Sequence, residues 1–275
     1  MNCFENNGFA SASYLSSKEC KDIFEVLEQI QDEFLKHEKE FRSVEYVKKW
    51  PSDALHWWSR CWEYPYVLYH LKKLKQSERM TVLDLGSGVT FFPTAVARQN
   101  CDVCAVDVDE IVGKDLPAAT RHVSPLPGTV SVLLSDGNSL PNGDSEMDVV
   151  YSISVLEHLE NYEEIISEVH RVLKPNGHFI LTIDVDIKGS VSIGASKFYN
   201  ILGALSRRFE AQYLNSMLHP QDLLTSSNST YPLHEGSGSK TAFHRIKSEI
   251  KVLLGYKERE VSELCCYGAV FKRVD

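Results

Sequence analysis

The run Val82-Leu83-Asp84-Leu85-Gly86-Ser87-Gly88 decides how the rest of the chain is read. An apolar strand ends at an acid and turns through two glycines toward a helical segment beginning near Phe92. Glycine adopts the backbone angles of a tight turn and lets a ligand lie close against the main chain. In an open parallel sheet, ligands collect at the carboxyl ends of the strands, where this turn sits. Taken alone, a G-x-G turn is equally an ordinary connection between strand and helix.

Outward from this turn, short β-rich runs alternate with helical segments, the pattern of βαβ units and a parallel sheet. Strands are predicted at residues 81–84, 103–107, 130–134, 148–152 and 178–184, with helices at 92–98, within 111–121 and at 162–173. The run Lys174-Pro175-Asn176-Gly177 stops the last of these helices. The alternation then lapses and resumes with a helix at 241–254 and two strands near 256–261 and 266–272. The first residues read differently: Ile23, Val26, Leu27, Ile30 and Phe34 recur at helical spacing. Pro51 breaks that pattern, Ser52 or Asp53 is read as the cap of a short helix carrying His56, Trp57 and Trp58, and another helix is expected at 66–75 after Pro65. The expected architecture is α/β: a Rossmann-like, doubly wound, mostly parallel seven-stranded sheet with its last strand antiparallel. Residues 1–78 form an N-terminal helical cap, and 79–275 the sheet domain. An insert after the fifth strand, 187–240, is read as a lid.

Two further acids follow the first. Ala105-Val106-Asp107 ends the second strand, where a carboxylate can accept hydrogen bonds from both hydroxyls of an adenosine ribose. Leu134-Ser135-Asp136-Gly137-Asn138 ends the third, where a carboxylate can accept from an adenine amino group. Dinucleotides and S-adenosylmethionine both fit the second acid. The dinucleotide fingerprint needs a third glycine for close helix–strand packing, and Phe91 stands in its place. An acid two residues before the first glycine suits a cationic ligand better than a pyrophosphate, which favours the sulfonium cofactor.

With Asp148-Val149-Val150-Tyr151-Ser152, Leu156-Glu157-His158-Leu159 and Leu173-Lys174-Pro175-Asn176-Gly177 added in order, the chain resembles the class I S-adenosylmethionine-dependent methyltransferase superfamily, particularly its small-molecule, type 11-like branch. The resemblance covers residues 81–184 and is specific for the superfamily, not for a substrate. It implies that Gly86 and Gly88, with Ser87 between them, line the methionine part of S-adenosylmethionine, which leaves as S-adenosylhomocysteine. By the same resemblance, Asp84 and the Ile153 carbonyl hold the ammonium, and Arg60 pairs with the carboxylate. Asp107 binds the ribose with Val108 beside it. Asp136 takes the adenine amino group, and Gly137 and Asn138 flank the ring.

Methyl transfer is an in-line displacement at a carbon activated by positive sulfur, so the protein must align the nucleophile and, where needed, remove a proton. His158 is the candidate general base, since imidazole titrates near neutrality; the competing reading is a histidine that caps or packs. Trp57, Trp58 and Tyr64 either wall an acceptor pocket or bridge the cap to the sheet. His219 either faces that pocket or sits on a surface loop. Ubiquinone-pathway O-methyltransferases carry E-x-x-E-H after the fourth strand and bind a divalent metal with it. Here the matching run is Ser154-Val155-Leu156-Glu157-His158, the first acid is missing, and no metal is expected.

The composition narrows the partner. The chain has 275 residues, 43% hydrophobic and 24% charged, with a formal net charge of -9. Neutralising phosphates supplies most nucleic-acid affinity, so this balance argues against a nucleic-acid or anionic-membrane partner. No apolar run approaches a membrane span, and residues 1–10 lack the pattern of a signal peptide. The seven cysteines show no disulfide framework, and the Cys101/Cys104 pair stands alone in a strand-like stretch. A cytoplasmic enzyme, monomer or homodimer, acting on a small molecule is expected. Two alternatives stay open. One is a protein or nucleic-acid methyltransferase, although Ser152-Ile153-Ser154-Val155 replaces the N/D-P-P-Y/F run such amino-methylating enzymes carry. The other is a non-catalytic cofactor-binding partner protein.

Overall fold

The apolar runs become five parallel strands: β2 (Met80–Leu85), β3 (Cys101–Asp107), β4 (Thr129–Leu134), β5 (Met147–Ile153) and β6 (Leu173–Asp186). The computed structural model describes residues 4–50, 52–75, 79–123, 126–187, 194–215, 217–231 and 263–274. Strands β2, β3 and β5 are nearly continuous in buried residues because helices cover both faces, whereas β4 lies at the sheet edge and is largely exposed. β8 (Leu264–Arg273) runs antiparallel beside β6, as expected for the last strand.

The sheet has eight strands where seven are predicted. Two short pieces account for the difference. β1 (Gly8–Phe9) and β7 (Phe209–Ala211) both pair antiparallel with the outer edge of β8. That edge would otherwise leave a row of backbone groups without partners. The helix expected at 241–254 and the strand near 256–261 lie outside the described residues. The order β1-β8-β6-β5-β2-β3-β4 puts β2 and β5 side by side. The chain leaves β2 toward β3 and β4 on one side, then crosses back and proceeds through β5 and β6 on the other. Connections diverge at this switch point and open a crevice at the carboxyl ends of β2 and β5.

One face of the sheet carries α4 (Arg60–Leu74), α5 (Phe92–Ala97) and α6 (Glu110–Thr120), with α1 (Lys18–Leu35) packed outside α4 and α5. The other face carries α7 (Tyr162–Val172) and α8 (Ala195–Ser206). In α7 the spacing of Ile165, Ile166, Val169 and Val172 buries one stripe, each side chain contributing about 1.5–3 kcal/mol. α1 starts at a Ser17 cap that accepts from the Cys20 amide at 3.2 Å. Its buried Gln31 is satisfied by Asp53 and the Leu55 amide, each at 2.8 Å. Among the described residues no helix is long and apolar enough to cross a membrane.

Three local expectations change. α4 begins at Arg60 and continues through Pro65, because a proline this near the start removes only one backbone bond from an otherwise buried helix. The short helix carrying Trp57 does not form; Asp53 instead accepts from the His56 amide at 3.1 Å and holds a turn. The stop signal after α7 becomes a bulge in β6: pairing with β5 jumps from Leu173 to His178, and Asn176 takes a φ of 64°. Two short helices, α2 (Glu38–Phe41) and α3 (Val44–Lys49), precede the aromatic turn. Within the stretch read as an insert, α8 belongs to the sheet layer. Residues further on tie back to the body: Leu224 N donates to Ala10 O and Ser226 N to Leu264 O, each at 2.8 Å.

Candidate active site

A cavity of about 760 Å³ fills the crevice at the switch point. Its floor is the turn after β2. Gly86 and Gly88 have φ of 75° and 56°, in the left-handed region that favours glycine. A Cβ at Gly86 would lie 2.5 Å from a Val155 methyl, so no other residue fits there without displacing the loop after β5. The Gly86 amide donates to Val106 O at 2.8 Å, and the Gly88 amide to Asp107 Oδ2 at 2.9 Å. Asp107 Oδ1 accepts from the Asp109 amide at 3.0 Å, so the acid that ends β3 is fixed by two backbone donors. From α3, the Tyr46 hydroxyl accepts from the Val89 amide at 2.7 Å and closes the turn from the other side. Burial pushes this phenol up to about 12, so it remains protonated.

Asp84, at the end of β2, is on the wall of this cavity and only 4% exposed. Burial pushes its carboxyl up to about 8; the neighbouring Tyr151 hydroxyl pulls it down, and the Asp107 charge pushes it up again. It has no ion-pair partner among the described residues. Ser87 is buried too, with a hydroxyl that finds no partner among the described residues. Buried polar atoms rarely stay unsatisfied, so both groups fit a ligand that brings an ammonium and further polar atoms.

Of the residues singled out from the sequence, Trp57, Trp58, Arg60, Tyr64, Asp84, Gly86, Ser87, Gly88, Asp107, Val108, Gly137, Ile153 and His158 line the cavity together. Asp136 and Asn138 do not. Asp136 is exposed and uses Oδ1 on its own turn, accepting from the Asn138 and Ser139 amides at 2.9 Å each. His219 is exposed, caps a short turn by accepting from the Gln221 amide at 3.3 Å, and is not among the residues that line the cavity.

Four ionisable groups come together where α4 supplies Arg60 and Glu63, β6 supplies Asp184 and the turn after β5 supplies Glu157. Arg60 Nη1 donates to Glu63, to Ser154 Oγ at 3.0 Å and to Ser59 Oγ at 3.3 Å. Glu63, fully buried, also accepts from Ser154 Oγ at 2.7 Å and from the Thr182 hydroxyl. Burial pushes the Glu63 carboxyl up, but Arg60, Thr182 and Ser154 together hold it below its ordinary value. Glu157 is 2% exposed and accepts from the Asp184 amide at 2.8 Å through Oε1. Burial pushes its carboxyl up to about 8. Asp184, on the cavity wall at the end of β6, is raised well above the usual range by burial and by the Glu63 and Glu157 charges. His158 is also on this wall; partial burial and the charges of Arg60 and Lys197 lower its pKa, so it is neutral at physiological pH.

Tyr46, Glu63 and Asp184 escaped the sequence reading. Tyr46 and Glu63 carry no signal, being a helical aromatic and a helical acid made functional by distant partners. Asp184 could have been found, since it ends a strand as Asp84, Asp107 and Asp136 do.

The strand order, the divergent connections and the glycine turn define a Rossmann-like fold of the methyltransferase type. Residues 83–181 match the family described as the methyltransferase domain. A ubiquinone biosynthesis O-methyltransferase of Rickettsia typhi is 25% identical over 148 residues, covering 50% of this chain and 58% of that protein. A sterol 4-C-methyltransferase of Caenorhabditis elegans is 28% identical over 113 residues, covering 40% of this chain and 33% of that protein. The matches span between 19% and 58% of the curated relatives' lengths. Among solved structures, a geranyl diphosphate methyltransferase in complex with GPP and sinefungin shares the fold with a TM-score of 0.54 at 14% identity, covering 75% of this chain and 76% of that one. Within the sheet domain, residues 83–181 are thus similar to the methyltransferase domain that these relatives share.

Proposed function

We propose that the protein transfers the sulfonium methyl of S-adenosylmethionine to an oxygen or nitrogen of a small-molecule acceptor. The observation that carries this reading is Asp84: a buried carboxyl without a cation among the described residues, on the wall of a cavity lined by the Gly86 turn. When bound, the cofactor supplies a methyl group already activated by positive sulfur. Asp84 and the Ile153 carbonyl would hold its ammonium, Arg60 its carboxylate and Asp107 its ribose, with Val108 and Gly137 along the base. Glu63 acts as a positioning residue, because it fixes the Arg60 guanidinium in place.

The acceptor would lie against Trp57, Trp58 and Tyr64, which share the wall with His158 and Asp184. As the acceptor atom bonds to the methyl carbon, the sulfur–carbon bond breaks and its electron pair stays on sulfur. The proton lost by the acceptor passes to an imidazole nitrogen of His158, which is in the neutral form that base catalysis needs. Ser229 Oγ donates to Trp58 O at 2.7 Å, which supports the segment around Ser229 covering the Trp58 side of the cavity. No metal is needed in this scheme: Ser154 holds Glu63, and Glu157 is turned inward onto the Asp184 amide.

Calorimetric titration with S-adenosylhomocysteine and with NAD tests the reading. Micromolar binding of the first alone, lost in Asp107→Ala, is expected. No binding of S-adenosylhomocysteine, or tighter binding of NAD, would overturn it.

A further inference from the structure

The cluster at the end of β6 holds more acids than cations. It holds Glu63, Glu157 and Asp184 against the single guanidinium of Arg60, and that guanidinium is engaged by Glu63. The other elements packed around the cluster do not restore the balance. The turn after β5 brings His158, which is neutral; β6 brings Thr182; β8 brings Cys266, whose thiol is buried and raised by that burial. Lys197 of α8 pairs with Glu160.

Two oxygens stand out. Glu157 Oε2 and Asp184 Oδ1 are buried and have no hydrogen-bond partner among the described residues. Native proteins pair almost every buried polar oxygen, so the unpaired Asp184 oxygen on the cavity wall calls for a hydrogen-bond donor from a ligand, and Glu157, bonded to the Asp184 amide, adds a second acid beside it. Trp57, Trp58 and Tyr64 line the same cavity, and aromatic side chains suit a cation or an apolar body. An acceptor bearing a carboxylate or phosphate here would instead meet three acids.

We propose that the methyl acceptor is an amine, held as its ammonium ion by Asp184 with Glu157 behind it. This rests on the methyltransferase reading above and deepens it: the product is an N-methylated amine. The bound ammonium first gives one proton to His158. The nitrogen lone pair then forms the bond to the methyl carbon while the sulfur–carbon bond breaks toward sulfur. The product leaves as a methylated ammonium, and His158 returns its proton to solvent.

Burial keeps the Asp184 and Glu157 carboxyls raised in the ligand-free state, so a bound ammonium should expel a proton from the pair. The experiment saturates the whole protein with S-adenosylhomocysteine and titrates it calorimetrically with tryptamine, tryptophol and indole-3-propionate, in buffers of different ionisation heat. These probes share an indole body and differ in the charge of the tail. Tryptamine is expected to bind about tenfold or more tighter than tryptophol, with release of roughly one proton, and indole-3-propionate weakest. Asp184→Asn should erase that preference and the proton release while S-adenosylhomocysteine still binds. Glu157→Gln should reduce the preference several-fold, which keeps the test alive if the first variant folds poorly. Equal binding of tryptamine and tryptophol, or a preference that survives in Asp184→Asn, overturns the proposal. Failure of S-adenosylhomocysteine to bind at the outset overturns the underlying reading instead.

Discussion

Replacing Asp84 by asparagine should make the ligand-free protein more stable while weakening its grip on the cofactor. In the folded protein burial pushes this carboxyl from 3.8 up to about 8. In the unfolded chain it ionises near its ordinary value, so folding at pH 7 takes up a proton. Each pH unit between the two values is worth about 1.36 kcal/mol, which puts a ceiling on the order of 4 kcal/mol on the penalty at pH 7. Local rearrangement around the site relieves part of it, leaving about 2 kcal/mol as the working figure. Because the folded value is raised, this group favours the fold fully below about pH 4 and loses that contribution as the pH climbs toward 8. Asparagine does not titrate. Asp84→Asn should therefore melt roughly 4–8 °C higher than the native protein at pH 7, and the gain should shrink by more than half near pH 5. Differential scanning calorimetry of both ligand-free proteins at the two pH values measures this directly. Affinity for S-adenosylhomocysteine should fall roughly tenfold to a hundredfold, since the ammonium loses a charged partner. A variant that melts lower at pH 7, or whose gain is the same at both pH values, would refute the reasoning.

Two further substitutions probe the framework. Gly86→Ala forces a side chain into a φ of 75° with its Cβ 2.5 Å from Val155, so it should cost about 1–3 kcal/mol in urea unfolding and weaken S-adenosylhomocysteine binding. Arg60→Met leaves the fully buried Glu63 without its cation and should cost about 3–5 kcal/mol. Adding Glu63→Gln to that variant should recover most of the loss; a double variant as unstable as Arg60→Met alone would mean that the ion pair is not the source.

The sheet was legible because its central strands are buried on both faces and so read as apolar runs between glycine and proline stops. The cofactor half of the cavity was legible for a related reason. Strand ends fix where Asp84 and Asp107 point, and the strand order brings those ends together. Asp136 shows the limit of that logic, since a short polar turn can consume the acid at a strand end before any ligand meets it. The edge of the sheet was not legible. β1 and β7 are two and three residues long, too short for any periodicity, and they form only because β8 offers an open edge. Nor was the acceptor half legible. Glu63 and Asp184 lie more than a hundred positions apart in the chain, and only the packing of α4 against β6 makes them neighbours.

What separates the strand-end acids is how the fold has already satisfied them. Asp107 has backbone donors on both oxygens, and Asp136 is held by its own turn. Both can share lone pairs with a neutral hydroxyl or amino group, yet neither lacks a partner. Among the described residues Asp84 has no cation and Asp184 keeps a buried oxygen unpaired, and burial raises both carboxyls. A carboxyl left in that condition destabilises the empty protein, and natural sequences keep such local conflicts chiefly where function requires them. The first of these two acids lines the cavity with the glycine turn, where we place the cofactor's ammonium. The second shares the cavity wall with Trp57, Trp58, Tyr64 and His158, the side proposed for the acceptor. If the same physics governs both, the second acid is also matched to a cation, and the charge of the missing acceptor can be read from the protein's own imbalance.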